Sequence, residues 1–245
     1  MSDVSASSSP HTYVLVHGAW HGGWCWRRVA DRLQAAGHRV FTPTLTGLGE
    51  RAHLIRPGIT AEFFADDLVA VLDAEELDDV ILVGHSFAGR PISIVADRVP
   101  GRLRHLVYLD AGLPVNGQSH LDGMSAAVRD ARFAAAQAFD GGLSLPPPSP
   151  ADLGVTDPAD AAWLTRRMTP QPFATFTTPT QLAHPLANGR PATYIRCTSP
   201  AYAPMADSAA RAKAMPGWSY VELATGHDAM VTAPGELAAI LDRLP

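Results

Sequence analysis

The chain has 245 residues, 47% hydrophobic and 18% charged, which is enough to bury one sizeable core and fits a single α/β domain. With 19 Lys+Arg against 24 Asp+Glu the formal charge is -5, and no basic run marks a nucleic-acid surface. No apolar run approaches the roughly 20 residues of a membrane helix, and Cys25 and Cys197 make neither a disulfide framework nor a metal spacing.

Residues 1–10, MSDVSASSSP, are Ser-rich, without a basic start or an apolar stretch. They read as a disordered leader and not as a secretion signal, so the expectation is a cytoplasmic protein with two buried, reduced thiols. Tyr13-Val14-Leu15-Val16 is a short apolar run ending at His17-Gly18, and Arg27 to Ala36 follows with helical spacing and Gly37 as its stop. His38 to Phe41 reads as a second strand. Ala61 to Leu77, with apolar residues at 64, 68, 71 and 72, reads as a helix with one buried face. Val80 to Val83 is the next strand, Phe87 to Arg98 the next helix, and Leu106 to Leu109 a strand ending at Asp110.

That rhythm fails between about Gly112 and Pro191, a proline-rich stretch with two helix-like pieces, Ser125 to Phe139 and Pro158 to Arg167. It resumes with strands over Ala192 to Cys197 and Ser219 to Leu223, a helix from Met205 to Ala214, and a closing helix from Pro234 to Leu244. Strands alternating with helices imply a mainly parallel sheet covered on both faces. The expected organisation is a core of residues 11–112 and 191–245, split around a lid of residues 113–190.

Catalytic groups in such sheets gather at the carboxyl ends of the strands, where His17, Ser86, Asp110 and His227 all fall. Ser86 lies in Gly84-His85-Ser86-Phe87-Ala88-Gly89, between an apolar strand and a helix. A serine at that elbow is strained, so only small residues fit two positions either side; Gly84 and Ala88 qualify, although Ala88 departs from strict G-x-S-x-G. A serine hydroxyl needs an adjacent base, and His227, in ELATGHDAMV after the last strand, is placed to serve. His53, His120 and His184 read as surface groups. The oxyanion of an acyl transfer needs backbone donors; Phe87 N–H follows the nucleophile, and Ala19 N–H, in VHGAWHGGW, is the candidate second donor. Gly18, Trp20, Trp163, Phe173 and Phe176 are candidates for the substrate pocket, with Phe87 beside them.

Together YVLVHGAWHGGWCW, VILVGHSFAGR, LVYLDAGLPVNGQS, TYIRCT and TGHDAMVTAP resemble the plant methylesterase and hydroxynitrile lyase group of α/β-hydrolases, with its bacterial esterase relatives. The lid carries no such likeness. The resemblance implies an α/β-hydrolase fold, no metal or other cofactor, and Ser86 and His227 as nucleophile and base. Hydroxynitrile lyases of the group commonly carry Thr, or Asn in another branch, at the place of Gly18. The Thr type also carries Lys at the place of Asp228, where it accommodates cyanide. Both differences favour an esterase.

The group's triad acid usually follows the strand corresponding to TYIRCT, but here the segment reads Cys197-Thr198-Ser199-Pro200. Haloalkane dehalogenases and zearalenone lactonases take the acid from the strand after the nucleophile helix, and Asp110 occupies that position. Asp207 is the second choice, while Asp228 adjoins His227 too closely to reach its Nδ1 easily. The expected function is a serine carboxylesterase acting through an acyl-enzyme on a small or medium apolar ester or lactone. A lyase or cyclase using His227, or a small-molecule receptor, are the alternatives, and a homodimer is left open.

Overall fold

A computed structural model describes residues 10–245; the expected leader lies outside the described residues except for Pro10. In chain order the main elements are β1 (Thr12–Val16), α1 (Arg27–Ala35), β2 (Arg39–Phe41), α2 (Ala61–Ala74), β3 (Val80–His85), α3 (Gly89–Arg98) and β4 (Leu103–Leu109). Then come α4 (Ala126–Asp140), β5 (Ser144–Leu145), α5 (Pro158–Thr165), β6 (Gln171–Pro172) and α6 (Ala174–Thr177). The chain closes with β7 (Ala192–Cys197), α7 (Ala206–Ala214), β8 (Ser219–Leu223), α8 (Ala229–Thr232) and α9 (Pro234–Leu241).

Among the described residues six strands form one parallel sheet in the order β2-β1-β3-β4-β7-β8. Successive strand side chains point to opposite faces, and the core divides accordingly. Tyr13, Leu15, Ile81, Val83, Val107 and Leu109 pack toward α1 and α9, whereas Val14, Val16, Leu82, Leu106 and Tyr108 pack toward α2, α3 and α7. Burial on both faces explains why these strands read as continuous apolar runs and not as alternating ones. This is the α/β-hydrolase fold expected from the sequence.

Most boundaries fall within a few residues of those expected, and the differences have local causes. α2 stops at Ala74 because the chain turns at Glu76 and Asp79, both with left-handed backbone (φ 50° and 55°). The helix after Ser86 opens as a single 3-10 turn over Ser86–Ala88 before α3 begins. β4 and β7 are neighbours in the sheet, yet the chain between them makes the whole excursion through α4, the antiparallel β5–β6 pair, α5 and α6. Among the described residues no helix is long and apolar enough to cross a membrane.

Candidate active site

Ser86 follows β3 directly, and its φ of 55° lies in the left-handed region that L side chains rarely adopt. Close packing enforces that turn. A Cβ on Gly84 would come within 2.8 Å of Ile92 Cδ1 and 3.0 Å of the Ala88 carbonyl oxygen, and one on Gly89 within 2.3 Å of the Gly112 oxygen. Gly89 thus supplies the closest approach on the helix side, and Ala88 packs fully buried beside it.

Three side chains from three strand ends make a continuous line. The Ser86 hydroxyl donates to His227 Nε2 at 2.8 Å, and His227 Nδ1–H donates to Asp110 Oδ2 at 2.7 Å. A carboxylate can only accept, so the hydrogen sits on Nδ1 and Nε2 is left to face the serine. Asp110 is wholly buried, with φ 39°. Its second oxygen accepts from Arg196 Nη1–H at 2.6 Å and from the Cys197 N–H at 3.3 Å. Sheet register brings these together: β4 pairs with β7 through Leu109 and Ile195, so the next residues, Asp110 and Arg196, meet at the strand ends.

Asp207 instead lies exposed on α7 at the cavity rim, and Asp228, also wholly buried, turns away to His21 at 3.0 Å. Thr198 and Ser199, where the group's acid would be sought, bond the backbone of the β8 end at Leu223 and Thr225. The chain then reaches Tyr202, whose ring stacks on His227 with centroids 4.0 Å apart, and whose carbonyl accepts from Arg196 Nη2–H at 3.2 Å.

The line opens into a cavity of about 490 Å³. Ala19 and Phe87 both line it beside Ser86. A Cβ on Gly18 would lie 2.8 Å from His85 Nδ1 and 3.0 Å from Ser86 Cβ, so this backbone runs directly against the elbow. Two consecutive peptides there are held from behind: His17 Nδ1–H donates to the Gly18 carbonyl at 2.8 Å, and the Trp20 N–H donates to Gln171 Oε1 at 3.0 Å.

Of the expected pocket residues, Trp20 and Phe176 line the cavity, with ring centroids 6.0 Å apart, and Phe176 stacks on Phe87 at 5.2 Å. Gly18, Trp163 and Phe173 do not line it. Trp163 packs edge-on against Trp24 at 4.9 Å, between Arg28 and Arg167, and Phe173 packs edge-on against Phe133 at 5.1 Å. Trp163 thus fastens the segment between β4 and β7 to the start of α1, whereas Phe173 packs within the segment itself.

His120 departs from its expected surface role, since it lines the cavity and meets Phe176 and Phe87 edge-on at 4.7 and 5.6 Å. Burial, then the charges of Arg90 and Arg132, push its pKa down to about 3, so the ring is neutral near pH 7. No periodicity marked His120 or Tyr202. Arg196 had a readable signal, a lone charge within an otherwise uncharged strand.

Residues 13–240 match the model of the alpha/beta hydrolase family, and the chain belongs to that family. A carbendazim hydrolyzing esterase of Nocardioides sp. (strain SG-4G) is 44% identical to it over 240 residues, covering 95% of this chain and 98% of that one. Methylesterase 9 of Arabidopsis thaliana is 40% identical over 103 residues, 42% of this chain and 40% of the relative. Among solved structures, an extracellular alpha/beta-hydrolase from a Paenibacillus species, described as sharing structural and functional homology with tobacco salicylic acid binding protein 2, superposes with a TM-score of 0.81. It is 26% identical, and the match covers 95% of this chain and 98% of that one.

Proposed function

We propose that this carboxylic ester hydrolase works as a serine esterase on a small or medium apolar ester or lactone, through an acyl-enzyme. The observation that carries the reading is the Ser86–His227–Asp110 line opening into an aromatic-walled cavity. Ser86 Oγ attacks the ester carbonyl while His227 Nε2 takes the hydroxyl proton, and Asp110 keeps the imidazole in the tautomer that can accept it. The Ala19 and Phe87 N–H groups donate to the developing oxyanion. His227 returns the proton to the leaving alcohol; water then attacks the acyl-enzyme with His227 again as base, releasing the acid and restoring Ser86. Arg196 and Tyr202 hold Asp110 and the imidazole in place, and residues 113–190 form the lid whose Phe176 and His120 shape the acyl or alcohol site.

The names of the relatives support ester cleavage and point to methyl esters and carbendazim as first substrates to try. A lyase of the Thr-bearing type fits less well: a side chain at residue 18 would press on the His85 ring, and the group after His227 is a buried acid tied to His21. A receptor reading rests on the absence of a triad acid, and the Asp110 carboxylate 2.7 Å from His227 Nδ1 supports catalysis instead. The test is hydrolysis of a panel of methyl, aryl and short alkyl esters, with carbendazim included, by wild type and Ser86→Ala. Wild-type turnover of at least one ester with loss of about 10⁶-fold in Ser86→Ala is expected; undiminished turnover by the variant would remove the serine mechanism.

A further inference from the structure

Behind the Ser86–His227–Asp110 line lies a second acid–histidine pair that takes no part in it. Asp228 is fully buried and His21 is 1% exposed, and His21 Nε2 lies 3.0 Å from Asp228 Oδ2. His21 Nδ1 lies 2.7 Å from the Ala19 carbonyl oxygen, which can only accept. With Asp228 ionised, both ring nitrogens must carry hydrogens, and His21 is an imidazolium.

Burial alone would discharge each partner, yet each favours charge on the other. Burial lowers the His21 pKa, but the Asp228 charge and the bonds to Asp228 and Ala19 outweigh it and raise the value above that of an ordinary histidine. Burial likewise opposes the Asp228 carboxylate, and His21, then His85 and His227, hold its pKa below the ordinary range. A buried pair of this kind is weak evidence for stability, because desolvation consumes much of the attraction. Its placement has a clearer consequence.

The pair joins the two loops whose relative position decides the chemistry. Ala19 carries a candidate oxyanion donor, and its carbonyl is the His21 acceptor. That carbonyl shares a peptide with the Trp20 N–H, which Gln171 holds from the other side, while His17 holds the preceding peptide through the Gly18 oxygen. The Ala19 N–H therefore has its direction set from both flanks. Asp228 directly follows His227, whose own carbonyl accepts from His85 Nε2–H at 3.0 Å, and His85 directly precedes Ser86. The other Asp228 oxygen has no hydrogen-bond partner among the described residues and lies 3.8 Å from His85 Nε2.

We propose that His21 and Asp228 form a positioning dyad that ties the oxyanion loop to the loop of the general base, so that the Ala19 N–H and the His227 imidazole are set as one unit around Ser86. The proposal rests on the serine-esterase reading above. A tie that acts on the oxyanion geometry is felt in the transition state and not in ground-state binding.

Asp228→Asn, His21→Gln and the double variant, checked for folding by circular dichroism, are compared with wild type and Ser86→Ala on p-nitrophenyl acetate. Affinity for an aryl trifluoromethyl ketone, which adds Ser86 Oγ to its carbonyl, is measured alongside. Each single variant is expected to lose about 10²-fold in kcat, the scale for an oxyanion donor, with KM within about threefold and ketone affinity falling in parallel. The double variant should be no worse than either single one, because the partners act together. Unchanged kcat in folded variants, a loss seen only in KM, or losses that multiply would overturn the dyad. Ester turnover surviving in Ser86→Ala would instead overturn the reading beneath it. Nitrogen NMR of uniformly labelled wild type covers the case in which the variants do not fold: both His21 ring nitrogens protonated at pH 7.5 supports the dyad, and a neutral ring overturns it.

Discussion

The floor of the cavity and the segment proposed above to roof it present different kinds of group to a ligand. On the floor, Ser86, Asp110 and His227 follow β3, β4 and β8, and each polar atom in the line meets a partner placed by sheet register or by a buried loop. The segment above is itself tied to the core by hydrogen bonds, from Arg90 to the Gln118 and Ser119 carbonyls and Thr180 and from Trp20 Nε1–H to the Leu145 carbonyl, but what it turns to the cavity is mainly Phe176 and His120, which meet their neighbours through ring contacts. Hydrogen bonds to charged groups are geometrically demanding, whereas ring packing tolerates substitution of similar volume. Chemistry is therefore expected to be lost abruptly by changes in the floor, and selectivity to drift with changes in the roof.

The largest effect is expected at Asp110. Asp110→Asn should cut kcat by about 10⁴-fold, because an amide cannot hold the His227 tautomer, while Asp207→Asn, exposed at the rim, should stay within about threefold. Steady-state kinetics on one aryl ester decide it; equal small losses in both would take the acid role from Asp110. A roof substitution should act more gently. Phe176→Leu removes a ring stacked on Phe87 and is expected to change kcat/KM for a bulky aryl ester by about tenfold, within the range for a small change of fit in an apolar pocket, while an acetate ester barely responds. A uniform loss on both esters would place Phe176 in the machinery of the floor.

Acid reaches both regions. Burial pushes the pKa of His17 down to about 3 and that of His85 well below its ordinary value, and His120 in the roof falls likewise. Below about pH 6.5 the unfolded chain takes up protons that these folded rings refuse, so stability present at neutral pH declines as pH falls toward the folded values. Each such ring costs about 1.4 kcal/mol per pH unit over that window. Thermal melts should fall by several degrees between pH 7 and pH 5; an unchanged midpoint would contradict neutral, buried His17.

The floor was largely legible in the sequence, for a physical reason. Strands buried on both faces read as apolar runs, and an open parallel sheet concentrates its chemistry just beyond them, so place alone picks out His17, Ser86, Asp110 and His227; the elbow motif and the family resemblance then select the last three. Arg196, although a lone charge in an uncharged strand, gains its partner only through the β4–β7 register, and the place of Tyr202 depends on the path of the chain beyond Pro200. The roof was less legible because an aromatic there packs against the core or against its own neighbours as easily as against a ligand. Trp163 goes to Trp24 and Phe173 to Phe133, while His120, in a loop without period, turns inward. The choice between lining a cavity and filling a lid is made by packing that no spacing in the chain reveals.

In the proposed mechanism Ser86 carries the acyl group between two half-reactions. Rapid quenching of wild type with p-nitrophenyl acetate, followed by peptide mass analysis, tests it directly. One acetyl group on the peptide containing Ser86, formed with a burst of nitrophenol and lost as turnover proceeds, is the expected result. Steady turnover with neither burst nor adduct, and with Ser86→Ala equally active, would show that Ser86 is not the nucleophile.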